Sequence, residues 1–363
     1  MQGDHGKMNL KNRVEKLLCL MESKSLDCLL ITNAKNMEYL TSFEGGSLLL
    51  ISRNGENMLF VYGVNYEAAR AKAKGVLVKL VKYGEILVDK TAEMLKAWKV
   101  HRLGFDSLTV STYLKLKERL DNVEFKDASN VMWSLRKIKD SDEISLMKKA
   151  AELTSLGMQK ALEIVEAGIS EREVAAEIEY AMRKKGSDGV SFDTIVSSGL
   201  NSAYPHGGCG DRVMREGDFV VVDVGAKYRS YCSDMTRTFI IGKPSPKQLK
   251  IYETVRKAQR LAAENVRAGV EAREIDHIAR DFISRAGYGE YFVHGLGHGV
   301  GLDIHEPPTL SPYSKDVLSE GNVLTIEPGI YIPGFGGVRI EDTVLVLDSG
   351  VEKLTDAPYI YQV

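Results

Sequence analysis

Two ten-residue segments of this chain repeat a pattern that few folds can accommodate. MREGDFVVVD (Met214–Asp223) and LSEGNVLTIE (Leu318–Glu327) each carry Glu-Gly, one polar residue, four mostly apolar residues and then a carboxylate. In the first, Phe219–Val222 is an unbroken apolar run, which predicts a strand buried on both faces. Asp223 follows where such a strand is still inside. An ionised carboxylate there costs several kcal/mol unless a cation or dense hydrogen bonding compensates it.

The repeat extends beyond these segments. Downstream, SDMTRTF puts Asp234 at the start of a strand, and IEDTVLV does the same with Glu341. Upstream, Ile144, Met147, Ala151, Thr154, Met158, Leu162 and Val165 step by three and four along one helix face. A second helix is predicted over Glu171–Lys185, followed by strands at FDTIVS, FVVVDV and TRTFII. From Pro244 the order restarts: a helix through Ile251, Val255, Ala258 and Ala262, another through Ile275, Ala279 and Phe282, then strands. Pseudo-symmetric halves with matched acidic pairs tend to face those pairs across a shared site.

Ahead of the repeat, strand-like and helix-like segments alternate up to about Val131. DCLLIT and SLLLIS read as strands, RNGE as the hairpin turn leading into NMLFVY, and VNYEAARAKAK and TAEMLKAWK as helices. The expected class is α/β (α+β), with an N-terminal α/β domain over 9–131 and a second domain over 139–363. The turn-like KDSDE opens the second domain's first long helix. No catalytic constellation is visible in the first domain.

With 363 residues the chain is long enough for two cores. Its 48 Lys and Arg against 50 Asp and Glu leave a net charge of −2, which disfavours a nucleic-acid partner. No apolar run reaches the length of a membrane span, and MQGDHGKMNLKNR lacks the apolar centre of a secretory signal. Cys19, Cys28, Cys209 and Cys232 form no CxxC pair and read as reduced thiols, so the cytoplasm is the expected location.

Four carboxylates converging in an interior repel one another, and divalent cations resolve that repulsion. Oxygen-rich sites suit hard or borderline ions such as Mn²⁺. HGLGHGVG (His294–Gly301) offers a nitrogen ligand, its glycines letting the backbone approach closely. His298 is the better candidate, with His294 nearby. Taken singly, each residue has a plainer reading: an Asp that caps a strand end, a solvated Glu341-Asp342 edge, a packing histidine. Two symmetric acid pairs plus a glycine-flanked histidine together favour a metal cage.

DVGAKYRSYCSDMTRT, HGLGHGVGLDIHEPP, LTIEPGIYIPGFGGVRIEDTVLV and the upstream IVSSGLNSAYPHG resemble the metallopeptidase family of methionine aminopeptidase, aminopeptidase P and prolidase. The resemblance covers roughly Lys139 to the C-terminus. It implies a pita-bread fold, two pseudo-symmetric ααββ halves around a dinuclear metal centre. NAKNMEYLTSFEGG (Asn33–Gly46) resembles the creatinase-like N-terminal domain of such relatives, although Val64 and Asn65 depart from the pattern in GVNYEAA.

By that resemblance Asp223 would bind one ion through both oxygens, Asp234 and Glu341 would bridge the two, and His298 and Glu327 would complete the other shell. Two divalent ions per subunit are implied, Mn²⁺ first, with Co²⁺, Zn²⁺ or Fe²⁺ as alternatives; such pairs activate a water and polarise a carbonyl. Glu327 is the candidate for proton transfer between nucleophile and leaving amine. His206, His294 and His305 are candidate catalytic and substrate-binding residues, as donors to the developing oxyanion. Arg339 is a candidate for substrate binding or for pairing with a ligand carboxylate.

The implied reaction is hydrolysis of an N-terminal Xaa-Pro bond, whose proline lacks the N–H of an ordinary peptide. An N-terminal domain of this size fits the aminopeptidase P, prolidase and creatinase branches. The reading leans to aminopeptidase P-like action on peptides with proline second, with Xaa-Pro dipeptidase (prolidase) as the alternative. A homodimer is expected, since in these relatives the first domain often caps the partner's site. The presence of all five ligand-type residues counts against a metal-free creatinase-like amidinohydrolase and a non-catalytic peptide-binding relative.

Overall fold

The computed structural model describes residues 5–363. The first four residues of the MQGDHGKMNLKNR segment lie outside the described residues. The chain divides into two units, one ending at Arg136 and the other running Lys137–Val363.

The first unit is built on a mixed six-stranded sheet. Its strands are β1 (Cys28–Ile31), β2 (Leu48–Ser52), β3 (Asn57–Tyr62), β4 (Leu77–Val81), β5 (Arg102–Phe105) and β6 (Glu124–Asp127). They lie in the order β4-β3-β2-β1-β5-β6. The apolar runs CLLI and LLLIS are buried along their whole length, as central strands require. β2 and β3 form the hairpin expected at RNGE, with Gly55 at φ 88° supplying the left-handed turn residue. Among the described residues six helices accompany the sheet: α1 (His5–Ser23), α2 (Ala34–Thr41), α3 (Gly63–Lys72), α4 (Leu87–Ala97), α5 (Val110–Arg119) and α6 (Ser129–Arg136). Asn33 caps α2 by accepting from the amides of Lys35 and Asn36.

The second unit opens with α7 (Ser141–Ile164), started by a reciprocal capping box between Asp140 and Glu143. α8 (Glu171–Lys184) follows. Two short strands, β7 (Gly189–Val190) and β8 (Ile195–Ser198), lead to β9 (Phe219–Val224), β10 (Ala226–Tyr228), β11 (Tyr231–Cys232) and β12 (Met235–Ile240). β12, β9 and β8 form one sheet, and its apolar residues pack with Met158, Val174, Ile178 and Met182 of the two helices.

The order then repeats. α9 (Pro246–Ala263) begins with a Ser245 capping box and proline at its first turn, and α10 (Ala272–Arg285) follows. The second sheet has the order β14-β13-β15-β18-β19, formed by β13 (Gly297–Gly299), β14 (Glu306–Leu310), β15 (Val323–Ile326), β18 (Asp342–Leu347) and β19 (Gly350–Lys353). The hairpin β16 (Gly329–Ile332) and β17 (Gly336–Arg339) stands between β15 and β18 in sequence. Ile251, Val255, Ile275 and Ala279 of α9 and α10 join Leu324, Ile326, Val344 and Val346 in the second core. The chain therefore has the expected mixed α/β class, with two helix-helix-sheet halves in its pita-bread unit.

The four acids occupy matched strand ends. Asp223 lies in β9 opposite Thr236, and Ile326 lies opposite Asp342, so Glu327 and Glu341 leave that ladder together. Asp234 and Glu341 stand one residue before β12 and β18, not at their first positions. The cause is cross-bonding between the halves. The Glu341 amide donates to Thr236 O at 3.1 Å, and Thr343 Oγ1 donates to Asp234 O at 2.8 Å.

Candidate metal centre

His298 is placed by β13, whose backbone runs too close to β15 on one flank and to β14 on the other for side chains at either neighbour; a Cβ at Gly299 would stand 2.5 Å from the carbonyl oxygen of Pro307. A Cβ at Gly297 would stand 2.1 Å from the carbonyl oxygen of Thr325. The His298 amide donates to Thr325 Oγ1 at 3.1 Å, and its Nδ1 lies 3.0 Å from Gly299 O. A carbonyl only accepts, so Nδ1 carries the proton and Nε2 keeps its lone pair. That lone pair points among the acids, 3.4 Å from Glu327 Oε1 and 3.6 Å from Asp234 Oδ2. Burial also lowers the proton affinity of the ring. A neutral imidazole with its remote nitrogen fixed by a backbone carbonyl is the form that ligates metals.

The acids are anchored unevenly, and three of their oxygens are left unmet. Thr236 Oγ1 donates to Glu341 Oε2 at 2.6 Å, Arg339 Nη2 donates to Asp223 Oδ2 at 2.6 Å, and Thr325 Oγ1 donates to Glu327 Oε1 at 3.2 Å. Asp223 Oδ1, Asp234 Oδ1 and Glu341 Oε1 are buried with no hydrogen-bond partner. Each such group costs about 1–3 kcal/mol or more for a charge. Burial, then the charges of Glu341, Asp223 and Glu327, pushes the carboxyl of Asp234 well above the usual range. Glu341 is raised by burial and by Glu327 and Asp223, and burial pushes Glu327 up to about 8.

Ligand atoms of Asp234, His298 and Glu341 all lie within 4.8 Å of one another. Hard oxygen donors plus one imidazole, with three oxygens unmet, fit one or more divalent cations. Asp223 and Glu327 stand at the edge of the same group.

A cleft of about 660 Å³ opens onto these five residues, and His206, His294, His305 and Arg339 also line it. His206 and His305 are exposed at its margin. The His305 ring stands edge-on to His298, centroids 4.3 Å apart.

His294 departs from expectation. Its Nδ1 lies 2.7 Å from Gly295 O, and its Nε2 lies 3.0 Å from the hydroxyl of Tyr331. That hydroxyl already accepts from Arg339 Nη1 at 2.9 Å, so its own proton goes to Nε2. Burial, with Arg339 next in weight, lowers His294 to about 4. Both ring nitrogens are thus spoken for, and the ring is a neutral wall of the cleft without a free donor for an oxyanion.

Arg339 is likewise committed. Besides Asp223 and Tyr331 it donates from Nε to Thr236 Oγ1 at 3.0 Å and from Nη1 to Pro205 O at 3.2 Å. At 3% exposure it serves the acids, the pairing with a carboxylate that the sequence left open beside substrate binding.

Two residues escaped sequence reasoning. Tyr331 sits in GIYI, which reads only as a strand. Arg237 is wholly buried behind the acids, donating to Asp342 Oδ1 at 2.9 Å and to Glu341 O at 2.6 Å. Its signal was an arginine inside the apolar strand TRTFII.

Metallopeptidase family M24 matches residues 145–348, and the creatinase/prolidase N-terminal domain matches residues 13–138. An Xaa-Pro dipeptidase of Pyrococcus furiosus is 44% identical over 349 residues, covering 95% of this chain and 98% of that protein. The structure of an Xaa-Pro dipeptidase from Bacillus anthracis superposes with a TM-score of 0.92 at 40% identity, covering 98% of this chain and 100% of that one. An X-Pro aminopeptidase structure from Thermotoga maritima superposes with a TM-score of 0.85 at 36% identity, covering 93% and 98%.

Proposed function

Because this chain belongs to metallopeptidase family M24, we propose that it is a divalent-metal-dependent Xaa-Pro dipeptidase. The observation that carries the hydrolytic reading is the trio of unmet buried carboxylate oxygens around a histidine whose Nε2 lone pair is free. The choice of substrate is supported by relatives called Xaa-Pro dipeptidase at 44% and 40% identity, against 36% for the X-Pro aminopeptidase. This replaces the lean towards aminopeptidase P drawn from the sequence. We further assign a creatinase-like domain over 9–131, a catalytic domain over 139–363, a homodimer, two Mn²⁺ per subunit and a cytoplasmic location. Among the described residues no helix is long and apolar enough to cross a membrane.

In this reading Asp223, Asp234, His298, Glu327 and Glu341 hold the metal. Bound there, it would supply a water of lowered pKa and a Lewis acid for the scissile carbonyl. Glu327 takes the proton of the nucleophile and returns it to the leaving proline nitrogen. His206 and His305, free at the cleft margin, present N–H groups towards the oxygen that gains charge. His294 and Tyr331 form a fixed wall.

The test incubates the protein with Mn²⁺, and separately with chelator, on Gly-Pro and on a longer Gly-Pro-containing peptide, with products read by mass. Metal-dependent cleavage of the dipeptide alone is expected. Release of the first residue from the longer peptide with comparable efficiency would make it an aminopeptidase P. No cleavage of either with metal bound would overturn the substrate assignment.

A further inference from the structure

We propose that Glu171 is a positioning residue, a buried carboxylate that closes both ends of the loop carrying His206 and so sets that imidazole at the cleft. The inference rests on the role given to His206 above. Glu171 is the first residue of α8 and 2% exposed. One of its oxygens, Oε1, accepts from the Ser198 amide at 2.8 Å and from Ser198 Oγ at 2.7 Å. The other, Oε2, accepts from the Gly210 amide at 3.0 Å. Ser198 is where the chain leaves β8, and Gly210 is where the loop returns, so one carboxylate grips both ends.

The surrounding bonds make the closure specific. The Glu171 amide donates to Arg212 O and the Arg172 amide to Gly210 O, each at 3.0 Å. Arg212 forms a two-pronged pair with Asp218, at 2.6 and 3.0 Å, and also donates to Ser198 Oγ at 2.5 Å. The returning leg lies along β8, where the Val196 amide and Ser197 Oγ both donate to Gly208 O. Between the ends, Ser202 Oγ accepts from the Gly337 amide at 2.9 Å, docking the loop on β17. His206 itself is exposed, so its position comes from its loop and not from packing of its own ring. A charged acceptor shared by amides at the two loop ends gives the strong bonds this needs.

Glutamine at this position presents one oxygen and one NH₂. If the oxygen keeps the two Ser198 donors, the NH₂ meets the Gly210 N–H donor to donor, and the return end is released. The experiment uses the Mn²⁺-loaded full-length protein and compares Glu171→Gln, His206→Ala and the double variant on Gly-Pro. Glu171→Gln is expected to lower kcat/KM about tenfold, divided between kcat and KM in the same proportion as His206→Ala. In the His206→Ala background the same change should cost less than about twofold. Hydrogen exchange is read alongside: amides over 198–210 should exchange at least tenfold faster in Glu171→Gln, with the rest of the unit unchanged.

Equal activity losses in both backgrounds, or unchanged exchange over 198–210, would overturn the proposal. Ser198→Ala removes only one of the three donors and should show the same pattern at smaller size. It carries the test if Glu171→Gln does not fold. Exchange needs no turnover, so the closure is judged even if wild-type protein fails to cut Gly-Pro; that failure would fall on the substrate reading instead.

Discussion

Replacing Arg237 with Met should be among the most damaging single changes in the second unit. The guanidinium is fully buried and donates to Thr236 O, Glu341 O, Asp342 Oδ1 and Ala357 O, so it ties β12 to β18 directly behind the acids of the cleft. Methionine fills similar space but leaves Asp342 as a buried charge. Breaking such a pair by removing one partner costs about 3–5 kcal/mol. Asp342 keeps bonds from Gln259, Thr355 and Tyr359, which argues for the lower end of that range.

About 3 kcal/mol corresponds to roughly 6–12 °C in Tm for a unit of this size. Calorimetry and urea unfolding of the metal-loaded protein measure it. Adding Asp342→Asn removes the stranded charge, so the double variant should recover about 1 kcal/mol or more over Arg237→Met. A loss under about 1 kcal/mol for Arg237→Met, or a double variant less stable than the single, would refute the account.

Three other outcomes follow from the site. Asp234→Asn should lose metal bound at stoichiometric level by elemental analysis, and hydrolysis of Gly-Pro with it; full metal content in the variant would remove Asp234 from the ligand set. Thr236→Val deletes the hydroxyl that donates to Glu341 and accepts from Arg339, so metal affinity by titration should fall about 10–100-fold with the fold retained. His294 is held down to about 4 by burial, below its ordinary 6.5, so the folded protein binds fewer protons than the unfolded chain in that interval. Stability is then fully present above pH 6.5 and is lost as pH falls towards 4, at up to about 1.4 kcal/mol per pH unit. His294→Asn should flatten that acid limb of the unfolding curve, and an unchanged slope would count against the buried neutral ring.

The acids were legible as a set and not one by one: Asp223 and Glu327 close apolar runs, and the duplication of MREGDFVVVD in LSEGNVLTIE, with Asp234 and Glu341 opening matched strands, supplied the joint signal. His298 was legible because glycines flank it, and those glycines answer to close backbone approach, of β15 at Gly297 and of β14 at Gly299. Arg339 and His294 were found as cleft residues, but the partner of His294 was not, and for Arg339 a ligand carboxylate and the substrate stayed open as alternatives. Whether a guanidinium meets substrate or Asp223 depends on Tyr331, Thr236 and Pro205, which lie far apart in the chain. Tyr331 and Glu171 carry no local pattern, and Arg237 shows only as an arginine inside an apolar strand, since each acts through bonds to residues distant in sequence.

By itself, then, the sequence determined which residues must be buried, where helices and strands alternate, and that four acids recur at equivalent strand ends. Those properties follow from periodicity and from desolvation cost, which act on neighbouring residues. Tertiary structure alone decided which carboxylate oxygens are anchored and which are left unmet, which histidine nitrogen is free, and which arginine is spent on holding the site. These are questions of hydrogen-bond partnership, settled only when polar atoms of β9, β12, β15, β17 and β18 are brought within about 3 Å of one another.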